Sequence, residues 1–195
     1  MKQPIPPLIL ASSSPRRKQL LEEVGLSFTV IPPSDTAESG VIQGESADQL
    51  VARLAFQKAC DVAGRVTTGL VLGGDTVAAC AGRILGKPRD EKHAREMLEL
   101  MRGREHTVHS GVCLWLRPGD RHLVRVATTT LLMEPISNEQ LREYLVSRAW
   151  EGKAGAFGYQ DGLDWVYLLQ GSESNVVGLP LELLGEMLRE FEIGM

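Results

Sequence analysis

The feature that most constrains the fold is a pair of long β-type runs in the middle of the chain. They cover residues 106–116 and 122–133, and the segment Pro118-Gly119-Asp120 lies between them. Because proline, glycine and aspartate are typical of tight turns, this pattern predicts a long antiparallel hairpin. Helical and strand patterns alternate on both sides of the hairpin. The predicted fold is therefore mixed α/β with the hairpin at its centre.

Shorter elements are predicted from apolar spacing and from helix-start signals. Buried strands are predicted over residues 7–12, 27–31, 69–73 and 165–169. Helices are predicted to begin near Ser14, Ser46, Asp90, Ser137 and Pro180. Glutamine follows both Ser46 and Ser137 by three residues, which is the spacing of a capping box.

The first of these helices has the clearest start signal. Ser14 stands at the N-cap, and Pro15 follows at the first helical position, where its missing N–H costs nothing. Gly25 is predicted to end the helix. Its buried side is predicted to consist of Leu20, Leu21 and Val24.

Composition and charge exclude some classes of protein. A formal net charge of −4 argues against an extended nucleic-acid surface, which is normally basic, but is compatible with a small basic pocket. No apolar run approaches the ~20 residues of a membrane span, and the first residues are too rich in proline for a secretory signal. The three cysteines lack CxxC spacing and are expected to be buried free thiols. A soluble, cytoplasmic protein with no membrane partner is predicted.

A candidate anion site lies in the segment 12–17, which joins a predicted strand to the start of a helix. Free backbone N–H groups and the helix dipole attract anions at such a junction. Ser12 and Ser14 add hydroxyl donors, and the guanidinium groups of Arg16 and Arg17 match phosphate oxygens. The alternative is an ordinary capped helix with solvated arginines.

A second candidate is the sequence Gly73-Gly74-Asp75-Thr76, in which the predicted strand ends. An acidic residue directly after a buried strand lies at the edge where α/β proteins usually bind ligands. Asp75 is therefore a candidate ligand for Mg²⁺ or a general base for water. The alternative is a turn aspartate that bonds to its own backbone.

Residues 82–89 superficially resemble a phosphate-binding P-loop. The spacing from Gly82 to Gly86 is one residue too short, and Pro88 stands where serine or threonine would bind Mg²⁺. The P-loop is therefore rejected. Lys87 remains a candidate point charge for phosphate, with an exposed turn lysine as the alternative.

Several other polar residues have weaker local signals. Lys58 lies at the boundary of the apolar side of its helix, where a lysine usually keeps its ammonium in water. Asp35 and Glu38 fall in an irregular segment, and their local pattern predicts solvated charges. His106 and His109 are three residues apart in a predicted strand and should point to opposite faces, so no zinc site is assigned.

The glycine-rich loop 154–160 has two interpretations. Phe157, Tyr159 and Gln160 could form a flat slot with an amide that reads a base edge. The alternative is a packed turn, since glycine-rich loops need no ligand.

Taken together, six segments resemble the Maf family of nucleotide pyrophosphatases. They are LASSSPRR (10–17), RLAFQKA (53–59), VLGGDT (71–76), ILGKP (84–88), KAGAFGYQ (153–160) and NVVGLPL (175–181). Each is a weak signal alone, but the six occur in family order and span almost the whole chain. The resemblance implies a single domain over residues 1–195 with an elongated, mixed-sheet α/β fold, in which two lobes surround a central cleft, similar to inosine-triphosphate pyrophosphatases. It also implies a homodimer.

The resemblance further implies roles for individual residues. Asp75 matches the catalytic acidic residue, and Lys58 and Lys87 match its catalytic or phosphate-binding companions. The family also has a catalytic glutamate after the second strand, and here its spacing is off by one residue. Glu38 is therefore the choice and Asp35 the fallback. Asp75 and Glu38 are implied to hold a divalent cation, Mg²⁺ or Mn²⁺.

The matched positions also imply a substrate. Arg16, Thr76 and Gln160 match the subgroup that acts on dTTP and UTP. In the subgroup for 7-methyl-GTP, tryptophan tends to interrupt the SPRR segment and glutamine follows the central aspartate, and neither feature is present. The implied reaction converts dTTP or UTP to the monophosphate and pyrophosphate. The alternatives are the same reaction on 7-methyl-GTP or CTP, and a nucleotide-binding regulator of cell division with little turnover.

Overall fold

The computed structural model describes residues 6–40 and 42–191. The strands are β1 (Leu8–Ala11), β2 (Phe28–Val30), β3 (Gly69–Cys80), β4 (Arg83–Leu85), β5 (Glu105–Arg117), β6 (His122–Met133) and β7 (Val166–Gln170). The helices are α1 (Pro15–Glu23), α2 (Ala47–Ala63), α3 (Glu91–Met101), α4 (Asn138–Val146), α5 (Glu173–Val177) and α6 (Leu181–Glu190). Two 3₁₀ turns cover Ala154–Ala156 and Tyr159–Asp161.

All seven strands belong to one mixed sheet, and the predicted hairpin lies at its centre. The strand order is β2-β1-β3-β5-β6-β7, and β4 pairs with β3 outside this path. β1 is parallel to both β2 and β3, whereas the β3–β5, β5–β6, β6–β7 and β3–β4 pairs are antiparallel. The prediction of a mixed α/β fold around the β5–β6 hairpin is confirmed.

The third strand is longer than its sequence predicts. Instead of ending after Gly73 in a turn, β3 continues to Cys80 and pairs with β5 from Gly69 to Ala79. The predicted strand end was wrong because glycine and aspartate favour turns locally, whereas here the neighbouring β5 satisfies their backbone groups. Asp75 and Thr76 therefore lie inside a strand.

The edge of β3 that faces β1 and β4 has a gap in its pairing. β1 pairs with β3 as far as Ala11 opposite Gly73, and the pairing of β4 with β3 covers only Ala78–Cys80, with Leu85 opposite Ala78. Among the described strands, none pairs with residues 74–77 on this side. The gap leaves one edge of this central strand without a described neighbouring strand in the middle of the sheet.

Two hydrophobic clusters cover one face of the sheet, one on each side of the gap. At one end, β1 and the first half of β3 pack against α1 and α6, with Leu10, Leu21, Leu72 and Leu184 fully buried. At the other end, Ala78 packs with residues of α3 and α4. The two clusters correspond to the two lobes that the sequence resemblance implies, and the gap lies between them.

Helix α2 covers the opposite face of the sheet at unusually short range. A Cβ at Gly73 would lie 2.9 Å from the Cβ and N atoms of Ala59. A Cβ at Gly111 of β5 would lie 2.8 Å from the Ala52 nitrogen and still closer to the Val51 carbonyl. Since real Cβ atoms do not approach other atoms this closely, glycine at both positions is what allows the helix backbone to contact the strands.

Most predicted helix starts are confirmed, with differences in the first helix. Ser46 and Ser137 form complete capping boxes, and the Asp90 side chain caps α3. Ser14 is at the N-cap of α1, but its side chain forms no capping hydrogen bond. Val24 was wrongly assigned to the buried side, because it lies at the C-cap and is 42% exposed.

The expectations for cysteine and histidine are also partly corrected. Cys80 and Cys113 are buried free thiols, whereas Cys60 is exposed, because it lies on the outer side of α2. His106 and His109 do point to opposite faces. His106 packs edge-on against Phe157, and burial lowers the pKa of its ring to about 4, while His109 contacts Asp48 of α2. None of the described helices combines the length and apolar character needed to cross a bilayer.

Because α2 lies so close to β5, adding one methyl group at Gly111 should lower the free energy of unfolding strongly. Gly111→Ala should destabilise the protein by about 3 kcal/mol or more, because its Cβ meets helix backbone and not a movable side chain. The measurement is the midpoint of denaturant unfolding. Gly64→Ala is the control, because Gly64 has φ −68° and its Cβ would be 3.6 Å from the nearest atom. Equal stability of the two variants would contradict the proposed packing constraint.

Candidate active site

A cavity of about 360 Å³ opens at the gap in the edge of β3. This volume is in the range of small-molecule sites. Its walls come from the loop after β1, from α2, from β3, from the loop 151–160 and from the end of α5. Each of the site residues predicted from sequence lines it: Ser12, Ser14, Arg16, Arg17, Glu38, Lys58, Asp75, Thr76, Lys87 and Gln160. Asp35, the fallback carboxylate, is exposed and is not part of the lining.

An ion-paired cluster lies where α2 crosses β3. The Lys58 ammonium is 2.7 Å from Asp75 Oδ1 and 3.1 Å from Glu38 Oε1. Lys58 is only 8% exposed, contrary to its local sequence signal, because the close approach of α2 places its side chain over the sheet. Asp75 faces the same side of β3 as Gly73, so it points toward α2. The two carboxylates therefore converge on one point.

The loop that carries Glu38 is held in place by α2. Ser39 receives hydrogen bonds from Arg53 Nη1, at 2.7 Å, and from Gln57 Nε2, at 2.9 Å. Asp61 accepts hydrogen bonds from both the backbone and the hydroxyl of Ser34, at 3.0 and 2.6 Å. Arg53, Gln57 and Asp61 are four residues apart, so they lie on one side of the helix. By holding the loop at Ser34 and Ser39, the helix places Glu38 next to Lys58 and leaves Asp35 in solvent.

Arg17 is not free to bind a phosphate, although its sequence context suggests that role, because its guanidinium is hydrogen-bonded to the protein. Its guanidinium donates from Nε to the Gly178 carbonyl (2.8 Å), from Nη1 to Ser12 Oγ (3.2 Å) and from Nη2 to Thr76 Oγ1 (3.0 Å). The side chain is buried, and burial lowers the pKa of the guanidinium, with Asp75 opposing that shift. Arg17 therefore ties three segments of the cavity wall together.

The remaining cations are more accessible. Arg16 donates to the Gly152 carbonyl at 2.9 Å, and burial lowers its pKa. The pKa of Lys87 is also lowered, first by burial and then by the charges of Arg17, Lys58 and Arg16. Among the described residues, no carboxylate forms an ion pair with Lys87. These side chains are available to an anion in the cavity.

The loop 151–160 forms one wall of the cavity, and it includes the segment 154–160, for which a base slot is one interpretation of the sequence. Phe157 is buried and Gln160 is exposed, and both line the cavity. Tyr159 is not part of the lining, and its hydroxyl donates to Glu173 at 3.3 Å. Lys153 also lines the cavity. Its ion pair with Asp161 joins the two ends of this loop.

Asp75 and Thr76 point to opposite faces of the sheet, although both line the cavity. Asp75 contacts Lys58 on the side of α2, whereas Thr76 contacts Arg17 and Ser110 on the other side. The cavity therefore continues around the free edge of β3. The ion-paired cluster is on one side, and the apolar residues Val108, Phe157, Val176 and Val177 are on the other.

Sequence reasoning missed several residues that shape this cavity. Ser110 and Asn175 are buried polar residues next to Thr76 and the cavity wall, and Gly178 accepts the Arg17 hydrogen bond. Asn175 and Gly178 belong to NVVGLPL, one of the six segments of the resemblance, but the resemblance implies no role for its residues. No local pattern in the sequence distinguishes Ser110 from other strand serines.

The carboxylates of the cluster suit a hard divalent cation. Carboxylate oxygens are preferred ligands of Mg²⁺, which usually completes its coordination sphere with water and substrate phosphates. Asp75 and Glu38 already converge on one positive charge. Among residues 6–40 and 42–191, no group of three or more His, Cys, Asp or Glu side chains is arranged to hold a metal. A cation here would therefore share its ligands with a bound substrate.

Comparisons with known proteins agree with the geometry. The family model described as Maf-like protein matches residues 7–191. A dTTP/UTP pyrophosphatase from Rhodopirellula baltica is 55% identical over 186 residues, which are 95% of this chain and 82% of that protein. A protein of the same name from Ruminiclostridium cellulolyticum is 40% identical over 184 residues, which are 94% of this chain and 95% of that protein.

A solved structure supports the fold independently. A HAM1 protein from Coxiella burnetii aligns with a TM-score of 0.53 at 17% sequence identity, and the match covers 94% of this chain and 98% of that chain. The likeness bears on the fold alone, and it agrees with the fold that the sequence resemblance implies. With a family model matched over residues 7–191 and relatives at this identity, the chain belongs to the Maf-like family.

Proposed function

We propose that this chain hydrolyses nucleoside triphosphates, dTTP and UTP first among them, to the monophosphate and pyrophosphate. The observation that carries the proposal is the ion-paired cluster of Lys58, Asp75 and Glu38 in a cavity rich in further cations. The relatives named dTTP/UTP pyrophosphatase support the substrate. The expected cytoplasmic location is consistent with free thiols at the described cysteines.

The cationic residues of the cavity account for the triphosphate. The N-terminus of α1 presents free backbone N–H groups beside Ser14, and Arg16 and Lys87 add positive charge. Five cationic side chains line the cavity against three carboxylates, although the chain as a whole carries a net charge of −4. This local excess of positive charge favours an anion of several charges.

Asp75 is the proposed general base. Its carboxylate accepts a proton from a water molecule that attacks the α-phosphorus, the bond from that phosphorus to the bridging oxygen breaks, and pyrophosphate leaves. Lys58 holds the carboxylate in place through the 2.7 Å contact. Arg16 and Lys87 stabilise the negative charge that develops on the leaving pyrophosphate.

Asp75 and Glu38 are also the proposed ligands of a divalent cation, Mg²⁺ or Mn²⁺. Bound there, the cation would neutralise charge on the phosphate oxygens and so assist displacement. Lys58 lies between the two carboxylates, so its ammonium would move aside or share them when the cation binds. The fit rests on carboxylate chemistry and on the convergence of the two side chains.

The base is proposed to lie on the other side of β3. Val108, Phe157 and Val176 offer an apolar surface there, and the exposed amide of Gln160 stands at its border. An amide can donate to and accept from the edge of a pyrimidine. Thr76 is proposed to affect base preference indirectly. Its hydroxyl is already bonded to Arg17 and Ser110, so it supports the cavity wall and does not contact the base.

The first experiment is pyrophosphate release from dTTP, UTP, CTP, 7-methyl-GTP and the common triphosphates, with Mg²⁺ and with EDTA. The expected result is release that requires the metal and is fastest with dTTP and UTP. A different preferred base would keep the reaction and overturn the substrate. No release from any triphosphate by folded protein would overturn the reaction and favour a nucleotide-binding regulator.

Loss of the proposed general base should abolish most turnover. Asp75→Asn is expected to lower kcat with dTTP by about 100-fold or more, because the amide cannot accept the proton from water. The measurement is steady-state kinetics, with circular dichroism to show an unchanged fold. Asp48→Asn is the matched control, because Asp48 also contacts a basic side chain, that of His109 in β5, but lies outside the cavity lining. Wild-type kcat in Asp75→Asn would refute the assignment.

Removal of the Gln160 amide should narrow the preference for pyrimidines. Gln160→Ala is expected to reduce the ratio of kcat/KM for dTTP to that for dATP by about two- to tenfold, the usual worth of one hydrogen bond. Gln19→Ala is the control, because Gln19 is an exposed glutamine on α1 outside the cavity lining. An unchanged ranking of substrates in Gln160→Ala would show that another group reads the base.

A further inference from the structure

A continuous chain of buried polar groups runs across the sheet from the cavity. Thr76 of β3 stands directly opposite Ser110 of β5, and their hydroxyl oxygens are 2.8 Å apart. Ser110 Oγ donates to the backbone carbonyl of Asn175 at 3.3 Å. The Asn175 amide nitrogen donates to Thr129 Oγ1 of β6 at 2.8 Å. Ser110, Thr129 and Asn175 are each at most 1% exposed.

This chain holds the segment that forms one wall of the cavity. α5 has only five residues, too few to be stable as an isolated helix. Asn175 is clamped at two points, because its carbonyl binds Ser110 and its side chain binds Thr129 and the Val108 carbonyl. The residues that follow, Val176 and Val177, line the cavity. The position of this wall, residues 176–178, therefore depends on the hydrogen bonds of Asn175, the buried residue that precedes it.

The far end of the same wall is held by Thr76. The Gly178 carbonyl accepts hydrogen bonds from Arg17 Nε at 2.8 Å and from the Thr76 hydroxyl at 3.3 Å. Thr76 has one hydroxyl proton, and Ser110 has one. When Thr76 donates to Gly178, Ser110 donates to Thr76, and when Ser110 donates to Asn175, Thr76 donates to Ser110. The two ends of the wall are thus coupled through two hydroxyl groups.

We propose that Ser110 and Asn175 are positioning residues that hold residues 176–178 against the base and so make the cavity too narrow for purines. This inference rests on the proposed function for its substrate. Neither residue is placed against the nucleotide itself. A looser wall would admit larger bases while leaving the ion-paired cluster at Asp75, on the opposite face of β3, unchanged. Selectivity and turnover are therefore separable.

The test compares Ser110→Ala, Thr76→Val and the double variant with wild type. Ser110→Ala is expected to reduce the ratio of kcat/KM for dTTP to that for dATP by about fivefold, the order of one hydrogen bond. The change should come mainly from a lower KM for dATP, with kcat for dTTP within about twofold of wild type. In the Thr76→Val background Ser110 still donates to the Asn175 carbonyl, so Ser110→Ala should lower the ratio again. The double variant releases both ends of the wall and should have the lowest ratio.

Two outcomes would overturn the inference. One is an unchanged ratio in Ser110→Ala, and the other is a double variant whose ratio equals that of Thr76→Val alone. Ser147→Ala is the matched control, because Ser147 Oγ donates to the Tyr144 carbonyl at 2.7 Å outside the cavity lining. Ser110→Cys fills similar space with a weaker donor, and it replaces the alanine variant if that protein does not fold.

Hydrogen exchange gives a second readout that needs no nucleotide. The backbone amide of Gly178 donates to the Ser174 carbonyl at 3.0 Å, so its exchange reports on the wall. Ser110→Ala should accelerate this exchange, whereas Ser147→Ala should not. Unchanged exchange at Gly178 would defeat this inference. Wild-type protein without turnover would defeat the proposed function instead, so the two failures are distinguishable.

Discussion

The contact between the backbone of α2 and the sheet is the constraint on which the site depends. Gly73 and Gly111 have no side chain, so the helix lies directly on β3 and β5. Lys58 precedes Ala59, which lies over Gly73. Asp75 is the next residue of β3 on that face, and it contacts Lys58. A lysine on a more distant helix would keep its ammonium in solvent. Here the ammonium reaches a carboxylate in the middle of a sheet.

The gap in the pairing of β3 turns this contact into a cavity. An unpaired strand edge exposes N–H and C=O groups and invites association. Here Arg17 covers the edge, and a Cβ at Gly74 would be 3.1 Å from its Nε atom. Glycine at this position therefore leaves room for the guanidinium. Arg17 then reaches Gly178, which connects the strand edge to the opposite wall.

Features set by local signals were predicted from sequence, and features set by distant partners were not. The capping boxes at Ser46 and Ser137 depend on residues three positions apart, and the hairpin on a short turn. The length of β3 depends on pairing with β5, whose paired residues lie 28 to 48 positions later in the chain, from Ala79 opposite Thr107 to Gly69 opposite Arg117. The choice between Glu38 and Asp35 depends on how α2 holds the preceding loop, which no spacing within that loop reveals.

Contacts with distant residues, which no local signal reveals, also decide which cations are free to bind phosphate. The sequence makes both Arg17 and Lys87 candidates for phosphate binding, but in the structure every guanidinium nitrogen of Arg17 donates to the protein. Lys87 faces the charges of Arg17, Lys58 and Arg16, and burial and this repulsion together lower its pKa. An anion of several charges offsets that repulsion, whereas an anion of one charge offsets only part of it. The crowding of cations therefore favours a triphosphate over a single phosphate.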